Sequence, residues 1–344
     1  MKRLNILLWS LAAAALLPLR AQNTTNLPTS MYGMGELSAG DGGRLAGMGN
    51  AGIALNRTGF QNTLNPAAIT RMDTTCFTFD VGASAAYAHY AYLSDHSSHV
   101  AANPNRISLG FRILKRWYMM LGTAPYSSVG YLIRTAEPIE GMPDEYLYST
   151  FTGEGGLYRC YLTNAVRLGR GLSVGVNIGM ILGTTTQSET QENATVEYES
   201  KKRAFHADFG LHYDFPSWKG RQWSVGTVFA PSLPLTHDNT LTYGNSSTSE
   251  GLDKPYHERR QYLPLHWGLG VAMSTDRWLL TADYNYTNWS RNTSSYTSAD
   301  YENQHKVNLG CSYTLHSRRP RSTEIMWGAG YGNSYISMKG KKMN

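Results

Sequence analysis

After its N-terminal segment the sequence lacks any apolar run long enough to cross a bilayer as a helix, which excludes a helical membrane protein. It has only three cysteines, Cys76, Cys160 and Cys311, an odd number spaced far apart. That pattern argues against a disulfide scaffold and against a zinc site. The net charge of +6 is modest and the basic residues are spread over many turns. We therefore expect no nucleic-acid partner.

The chain begins with the pattern of a secretory signal peptide. Lys2 and Arg3 supply a positive start, Ile6 to Leu17 an apolar stretch, and Ala21 ends a small-residue cleavage site. No cysteine follows Ala21, so the pattern is not that of a lipoprotein. We expect residues 1–21 to be removed after export, which indicates a Gram-negative cell envelope protein.

The next stretch, Tyr32 to Asp73, is rich in Gly, Asn and Ala and shows neither a strand nor a helix period. It is too long for a structureless connection inside a compact domain. Because strands follow it, the inside of a barrel is the simplest place to hold it. We therefore predict that residues 22–73 form an N-terminal hatch, or plug, in the lumen of a barrel formed by residues 74–344.

From residue 75 onward the sequence alternates between apolar and polar residues in eleven segments. They lie at residues 77–87, 106–113, 117–121, 158–168, 172–180, 205–215, 223–229, 265–271, 278–286, 306–315 and 325–331. Such alternation predicts antiparallel strands with one apolar and one polar face. Small soluble barrels fill their interior with apolar side chains, whereas these apolar faces are wide and uncharged. The pattern favours an all-β class: a transmembrane antiparallel β-barrel.

The connections between these segments alternate between short and long. Five are short: residues 115–116, 169–171, 217–221, 274–276 and 316–322. Five are long and polar: residues 89–105, 135–156, 184–203, 232–261 and 290–303. This is the outer-membrane arrangement, with short turns in the periplasm and long loops at the cell surface. Trp117, Trp223 and Trp278 follow short turns and fit a periplasmic aromatic girdle.

Two motifs in the plug carry a family resemblance. They are Gly43 to Gly52, GRLAGMGNAG, and Leu64 to Ala68, LNPAA. The chain thereby resembles the FadL/TodX outer-membrane transporters of hydrophobic compounds, most of all their divergent Bacteroidetes type. The resemblance implies a monomeric 14-stranded barrel without a cofactor, embedded in outer-membrane lipid. It also implies hydrophobic small molecules as partners, such as long-chain fatty acids or aromatic hydrocarbons, taken up by diffusion. About 11 of the 14 strands are present, so we expect a C-terminally truncated chain.

The plug also matches a dinucleotide-binding pattern through Gly47, Gly49 and Gly52. That pattern needs a preceding strand and a βαβ unit, and this stretch has neither. We interpret the glycines as positions that permit tight turns against the barrel wall. Asn65, Pro66 and Ala67 are expected to form a capped turn, since Asn caps turns and Pro fixes φ.

Several polar residues share strand faces and are predicted to line the lumen. They are His206, Asp208, His212, Asp214 and His266. A metal site is the alternative explanation, but the polar interior of a porin-type barrel accounts for them more simply. Spacing supports no Ser/His/Asp arrangement, because barrel neighbours are distant in sequence. We therefore predict no metal ion and no catalytic residue.

The third predicted strand continues beyond residue 121 to a proline, which cannot donate to a sheet ladder and belongs at an edge or a bulge. Pro125 stands among Gly122, Ala124, Ser127 and Ser128. In the FadL family a kinked third strand forms a side exit into the bilayer, so we hypothesise a lateral gate at these residues. In the alternative interpretation Pro125 lies above the lipid band, where a kink costs little.

The expected function is passive uptake of hydrophobic small molecules through plug rearrangement and the lateral gate. Two other classes of function are left open by the sequence. One is an outer-membrane shuttle or scaffold for a secretion system, similar to PorV-type proteins. The other is an outer-membrane enzyme such as a phospholipase, which the lack of a recognisable catalytic arrangement makes the less favoured of the two.

Overall fold

The alternating sequence folds almost entirely into long antiparallel strands. The computed structural model describes residues 27–38, 43–57, 61–72, 77–92, 95–139, 141–245, 248–256, 260–292, 299–316, 322–338 and 341–342. The predicted signal peptide, residues 1–21, lies outside the described residues. Eleven strands, here called the wall strands, coincide one by one with the eleven alternating segments, which confirms the predicted all-β fold.

The wall strands are β1 Thr78–Tyr92, β2 Asp95–Leu114, β3 Trp117–Ser128, β4 Met142–Arg167, β5 Leu172–Gln191, β6 Ala194–Asp214, β7 Gln222–Ala230, β8 Leu265–Ser274, β9 Trp278–Asn288, β10 Gln304–His316 and β11 Ser322–Gly332. They form one hydrogen-bonded path in chain order from β1 to β11, and every neighbouring pair is antiparallel. Sequential antiparallel pairing is what short turns between successive strands dictate.

The two faces of the wall differ as the alternation predicts. Large apolar side chains such as Phe79, Phe205 and Leu309 are more than half exposed on the outer face. Polar side chains on the other face, such as Ser312 and His212, are fully buried. Exposed apolar and buried polar side chains invert the pattern of a soluble domain, and they match a wall with lipid outside and a polar lumen inside.

Further short strands lie at residues 36–37, 131–139, 234–245, 248–256, 261–262, 299–301, 336–338 and 341–342. Helical structure within the described residues is confined to the α-helix Arg44–Gly47 and the 3-10 helices Pro28–Met31 and Pro66–Arg71. None of these helices has the length and apolar character that crossing a membrane would require.

The long polar connections contain more strand than the sequence predicted. Residues 184–203 are not a loop, because β5 and β6 continue as a paired hairpin with a turn at Glu192 and Asn193. Residues 89–105, 135–156 and 232–261 likewise contain strands. Beyond the lipid band both faces of a hairpin meet water, so the apolar alternation that reveals a membrane strand disappears there.

The short turns gather at one end of the wall beside tryptophans. Trp278 contacts Tyr313 and Trp327, with ring centroids 4.7 and 6.1 Å apart. Trp223 and Trp278 are each about two-fifths exposed, at 41% and 44%. Amphipathic rings in this position suit a membrane–water interface.

This arrangement predicts which end faces the periplasm. An epitope inserted after Asn245, in the hairpin far from the short turns, should be labelled by antibody on intact cells. An epitope inserted at Lys219, in the short turn between β6 and β7, should be labelled only after permeabilisation. Labelling at Lys219 on intact cells would reverse the orientation.

Candidate functional site

The plug packs against the inner face of the wall at a set of wall glycines. Seven of them, here called the glycine band, lie on seven different strands: Gly110, Gly175, Gly210, Gly226, Gly270, Gly310 and Gly328. A Cβ atom at any of these positions would lie between 2.2 and 2.8 Å from a plug atom. Real Cβ contacts are longer than this, so only glycine allows the plug to lie this close to the strands.

The predicted plug motif forms the centre of this contact. Asn65 precedes the 3-10 helix Pro66–Arg71, and its Oδ1 accepts a hydrogen bond from the Ala67 N–H at 3.0 Å. Its Nδ2 donates to the Ile53 carbonyl within the plug at 2.8 Å and to the Leu211 carbonyl of β6 at 3.2 Å. Asn65 therefore caps a turn and joins the plug to the wall.

The three glycines of the dinucleotide-like pattern, Gly47, Gly49 and Gly52, serve packing and turns. Gly49 has φ of +64°, and a Cβ there would lie 2.7 Å from the Ala329 nitrogen of β11. A Cβ on Gly52 would lie 2.5 Å from Leu45 Cδ2, inside the plug, while Gly47 faces Met326 at 3.5 Å. These contacts support the interpretation as tight turns against the wall.

One wall carboxylate holds the plug backbone. The N–H groups of Gly52 and Ile53 both donate to Asp283 Oδ2 of β9, at 2.5 and 2.9 Å. Asp283 is buried, with 3% of its surface exposed. Hydrogen bonds to a charged acceptor in a buried place are the strong ones, so Asp283 fixes the plug at its middle.

The underside of the plug carries ion pairs to the wall. Arg44 and Arg57 both pair with Glu324 of β11, and Arg71 Nη2 lies 2.8 Å from Asp214 Oδ2 of β6. A pocket of about 210 Å³, lined by Arg57, Arg71 and Asp214, opens on this side. The plug therefore has a charged face toward the short-turn end.

Above the plug lies a second cavity of about 290 Å³, here called the lumen cavity. Ile53 and Leu64 of the plug lie in its floor. Its upper end is covered by an apolar cluster, the roof, whose buried members are Met34, Leu157, Ile181, Ala204, Leu235, Leu263, Trp289, Tyr335 and Ile336. The plug and the roof therefore lie at the two ends of the lumen cavity.

The structure divides the predicted lumen residues between the two sides of the plug. His206, Asp208 and His266 line the lumen cavity. His206 Nε2 lies 3.3 Å from Asp208 Oδ1, and His266 Nε2 lies 3.2 Å from Asn285 Oδ1. Below, His212 Nε2 contacts Asp214 Oδ1 at 3.1 Å. Within the described residues no group of three or more His, Cys, Asp or Glu side chains could hold a metal ion.

The wall splits beside the lumen cavity. Pairing between β2 and β3 ends at Ile107 and Thr123, although both strands continue. Beyond this point β2 pairs with β1, and the edge of β3 is free for another segment. Asn105 and Arg106 on one side of the split, and Ala124 and Pro125 on the other, all line the lumen cavity. Residues from both edges of the split therefore line the lumen cavity.

The predicted gate residues lie at this split. Ala124 and Pro125 face the cavity, while Gly122 lies at the base of the split, still paired with Ser108. The register of β3 against β4 shifts between Pro125 and Ser127, so Tyr126 is a bulge. A bulge beside a proline is the geometry that interrupts a ladder and re-aims side chains.

Ser127 and Ser128 pair with a segment that the sequence did not identify. Leu37 and Glu36 lie opposite them in antiparallel register, and the Ser38 N–H donates to the Tyr126 carbonyl at 2.9 Å. Residues 36–38 are here called the wedge. They pair with the upper edge of β3, where β2 no longer does.

A second proline was also missed. Pro104 lies on β2 next to Asn103 and Asn105, at the level where β2 and β3 part. The sequence pattern predicts a polar loop here, yet a proline inside an extended stretch is itself a signal of an interrupted ladder. Each of the two strands therefore lacks one backbone donor at the level of the split.

Comparisons with known proteins agree with this architecture. The family model that matches is described as BamG and covers residues 1–341. Among curated proteins no match was found. The toluene transporter TodX of Pseudomonas putida has a similar structure, with 13% identity and a TM-score of 0.55 over 88% of this chain and 86% of that chain. A second crystal structure of TodX gives 13% identity and a TM-score of 0.55 over 89% of this chain and 88% of that chain. The monoaromatic hydrocarbon channel CymD gives 14% identity and a TM-score of 0.47 over 86% and 88%. At such identities the TodX match describes the fold, a FadL/TodX-like barrel.

Proposed function

The chain belongs to the BamG family, and we propose that it is an outer-membrane channel for hydrophobic small molecules that leave through the side of the barrel. Long-chain fatty acids and aromatic hydrocarbons are the substrate classes we propose to test. The TodX fold supports this proposal, since that protein is a toluene transporter. We also propose that the protein acts as a monomer, without a cofactor and without catalysis.

The observation that carries the proposal is the split in the wall beside the lumen cavity. The cavity has the plug below and the apolar roof above, and it reaches the wall at Asn105 and Pro125. A hydrophobic molecule that left past the plug would enter the aqueous periplasm. Exposing its apolar surface to water there would cost free energy. Exit through the wall would keep its apolar surface out of water.

The height of the opening fits this route. Pro125 is eight residues beyond Trp117, which lies next to a short turn. At about 3.3 Å per residue and a tilt of about 40°, Pro125 stands roughly 20 Å above the girdle. The apolar band of such barrels is about 25 Å tall. This estimate favours an opening within the lipid band over one above it.

The test replaces the prolines that keep the strands apart. Pro125→Val alone, and with Pro104→Val, restores backbone donors and allows β2 and β3 to pair further. We expect uptake of a radiolabelled long-chain fatty acid to fall in cells that depend on this protein, most in the double variant. The matched control is Pro138→Val, on the exposed strand 131–139. Unchanged uptake with a normally folded barrel would place the exit elsewhere.

A scaffold role is favoured by one specific observation. Leu132, Tyr146 and Tyr148 are 49 to 66% exposed on strands that extend beyond the lipid band, where water rather than lipid surrounds them. Exposed apolar patches of this kind mark interaction sites. If the protein is a scaffold, Tyr146→Ser with Tyr148→Ser should release a stoichiometric partner from the natively purified protein while uptake stays intact. Phospholipid hydrolysis by the pure protein would instead indicate an enzyme.

A further inference from the structure

We propose that the upper edge of β3, beyond Thr123, is a strand-addition site for which two segments of this chain compete, the wedge and the upper half of β2. The wedge now occupies the edge through Glu36, Leu37 and Ser38. This inference rests on the proposed function in one respect: the exchange would control the side exit. With the wedge in place the wall is split, and with β2 in its place the wall is continuous.

The register of the wall shows that β2 fits the same edge. Thr123 of β3 lies opposite Ile107 of β2 in the last pair that forms. Continuing that register would place Asn105 opposite Pro125 and Asn103 opposite Ser127. Ser127 is also the partner of Leu37 in the present structure. The two segments therefore cannot occupy the edge together.

The upper half of β2 is in turn poorly held where it stands. In the β1–β2 hairpin above Gly82, all five residues from Ala83 to Tyr87 of β1 are exposed, so this part of the strand has no packed face. A two-stranded hairpin with no packed face is marginally stable in isolation. Pairing with β3 would add ladder hydrogen bonds to one of its edges.

Each occupant is joined to the edge of β3 by few backbone hydrogen bonds, although Leu37 of the wedge also packs against the roof. In the continued register Pro104 and Pro125 belong to neighbouring pairs, of which only one is hydrogen-bonded, so one of the two prolines removes a donor from the β2–β3 ladder. The wedge pairs over two residues and adds one further bond from Ser38. Each arrangement of the β3 edge thus has only a few backbone hydrogen bonds, and each bond contributes a modest net free energy. Under this condition a small change can shift the population from one arrangement to the other.

The wedge depends on a glycine that offers a precise way to displace it. Gly35, just before the wedge, has φ of +88°, and a Cβ on it would lie 2.4 Å from the Ser128 carbonyl oxygen. Gly35→Ala should therefore push the wedge away from β3 while leaving the wall untouched. Gly43→Ala is the matched control, because Gly43 also has a positive φ, +65°, but has open space around its Cβ position.

The experiment measures which segment occupies the edge by cross-linking. In a background with Cys76, Cys160 and Cys311 changed to Ser, one version carries Leu37→Cys with Ser127→Cys. The other carries Asn103→Cys with Ser127→Cys. Gly35→Ala should shift the yield from the first disulfide to the second by about fivefold or more, as the loss of about one hydrogen bond implies. Gly43→Ala should shift neither yield.

A second variant guards against a misfolded result. Ser38→Pro removes the N–H that donates to Tyr126 without adding a clash at Ser128, and it should shift the yields in the same direction. Heat-modifiable migration on gels shows that each barrel is folded. If the Asn103–Ser127 disulfide fails to form in folded Gly35→Ala and Ser38→Pro, the competition is overturned.

Uptake separates this inference from the function on which it rests. With the Asn103–Ser127 disulfide formed, fatty-acid uptake should stop and return after reduction. If the disulfides exchange as expected but uptake is the same with either one formed, the two-segment edge stands and the side exit is wrong. If uptake falls in Pro125→Val while no exchange occurs, the exit stands and the competition is wrong.

Discussion

Deletion of Tyr32 to Asn62 is expected to give the protein an open-pore conductance in planar bilayers. The deleted residues include most of the plug, which fills the space between the lumen cavity and the pocket at Arg71 and Asp214. Barrels of more than eight strands are too wide for wall side chains alone to fill their interior. Removing the plug would join the two cavities into a polar, water-filled passage.

The size of this effect depends on the wall folding without the plug. Neighbouring wall strands pair through their own backbone bonds, for example over nineteen register pairs from Ser149 to Arg167 between β4 and β5. A control deletion in the outer hairpin, Asn239 to Tyr256, shortens the chain without touching the plug. If the plug variant is folded and conducts no better than this control, residues 32–62 do not block the lumen.

The wall could be predicted from the sequence because its physical cause is local. With lipid on one side of a strand and polar surroundings on the other, apolar and polar residues alternate along it. A stretch such as Leu265 to Val271 therefore predicts both a strand and its two faces. The same logic fails beyond the membrane. Thr184, Thr185 and Thr186 form strand there although none of them is apolar, and only the β-propensity of threonine indicates it.

The candidate site could be predicted only in part, because its contacts join distant parts of the chain. Pro125 marked the bulge on β3 by a local rule, but its counterpart Pro104 lay in a stretch interpreted as loop. The wedge at Glu36 and Leu37 is a two-residue strand without a period, and it exists only because β3 offers an edge. No local pattern encodes such a pairing.

Asp283 shows the same limit in a single side chain. The alternation of β9 placed it correctly on the polar face, beside Thr281 and Asn285. Its partners, the N–H groups of Gly52 and Ile53, lie about 230 residues earlier in the chain. Spacing within β9 carries no information about them, so its role in holding the plug emerges only from the fold.

That role leads to the second large effect, the release of the plug in Asp283→Ala. The substitution leaves two buried N–H donors without their charged acceptor. Hydrogen bonds to charged groups contribute about 1.5–3 kcal/mol each. A loss on the order of 3 kcal/mol corresponds to about a hundredfold rise in the population with a displaced plug. Backbone hydrogen exchange of residues 44–56 should accelerate accordingly, and bursts of conductance should appear in bilayers.

Two further variants serve as references for the hydrogen-exchange rates of Asp283→Ala. Asp283→Asn keeps an acceptor oxygen of the same shape without its charge, so its exchange rates should fall between those of the wild type and Asp283→Ala. Asp238→Ala removes a carboxylate whose side chain is 70% exposed, far from the plug, and should leave the plug protected.

Equal exchange in Asp283→Ala and Asp238→Ala would mean that the plug is held by its packing against the glycine band. In that case Gly226→Ala, whose added methyl would lie 2.3 Å from the Ile53 carbonyl oxygen, should release the plug instead, while Gly82→Ala, with 3.6 Å to its nearest neighbour, should not.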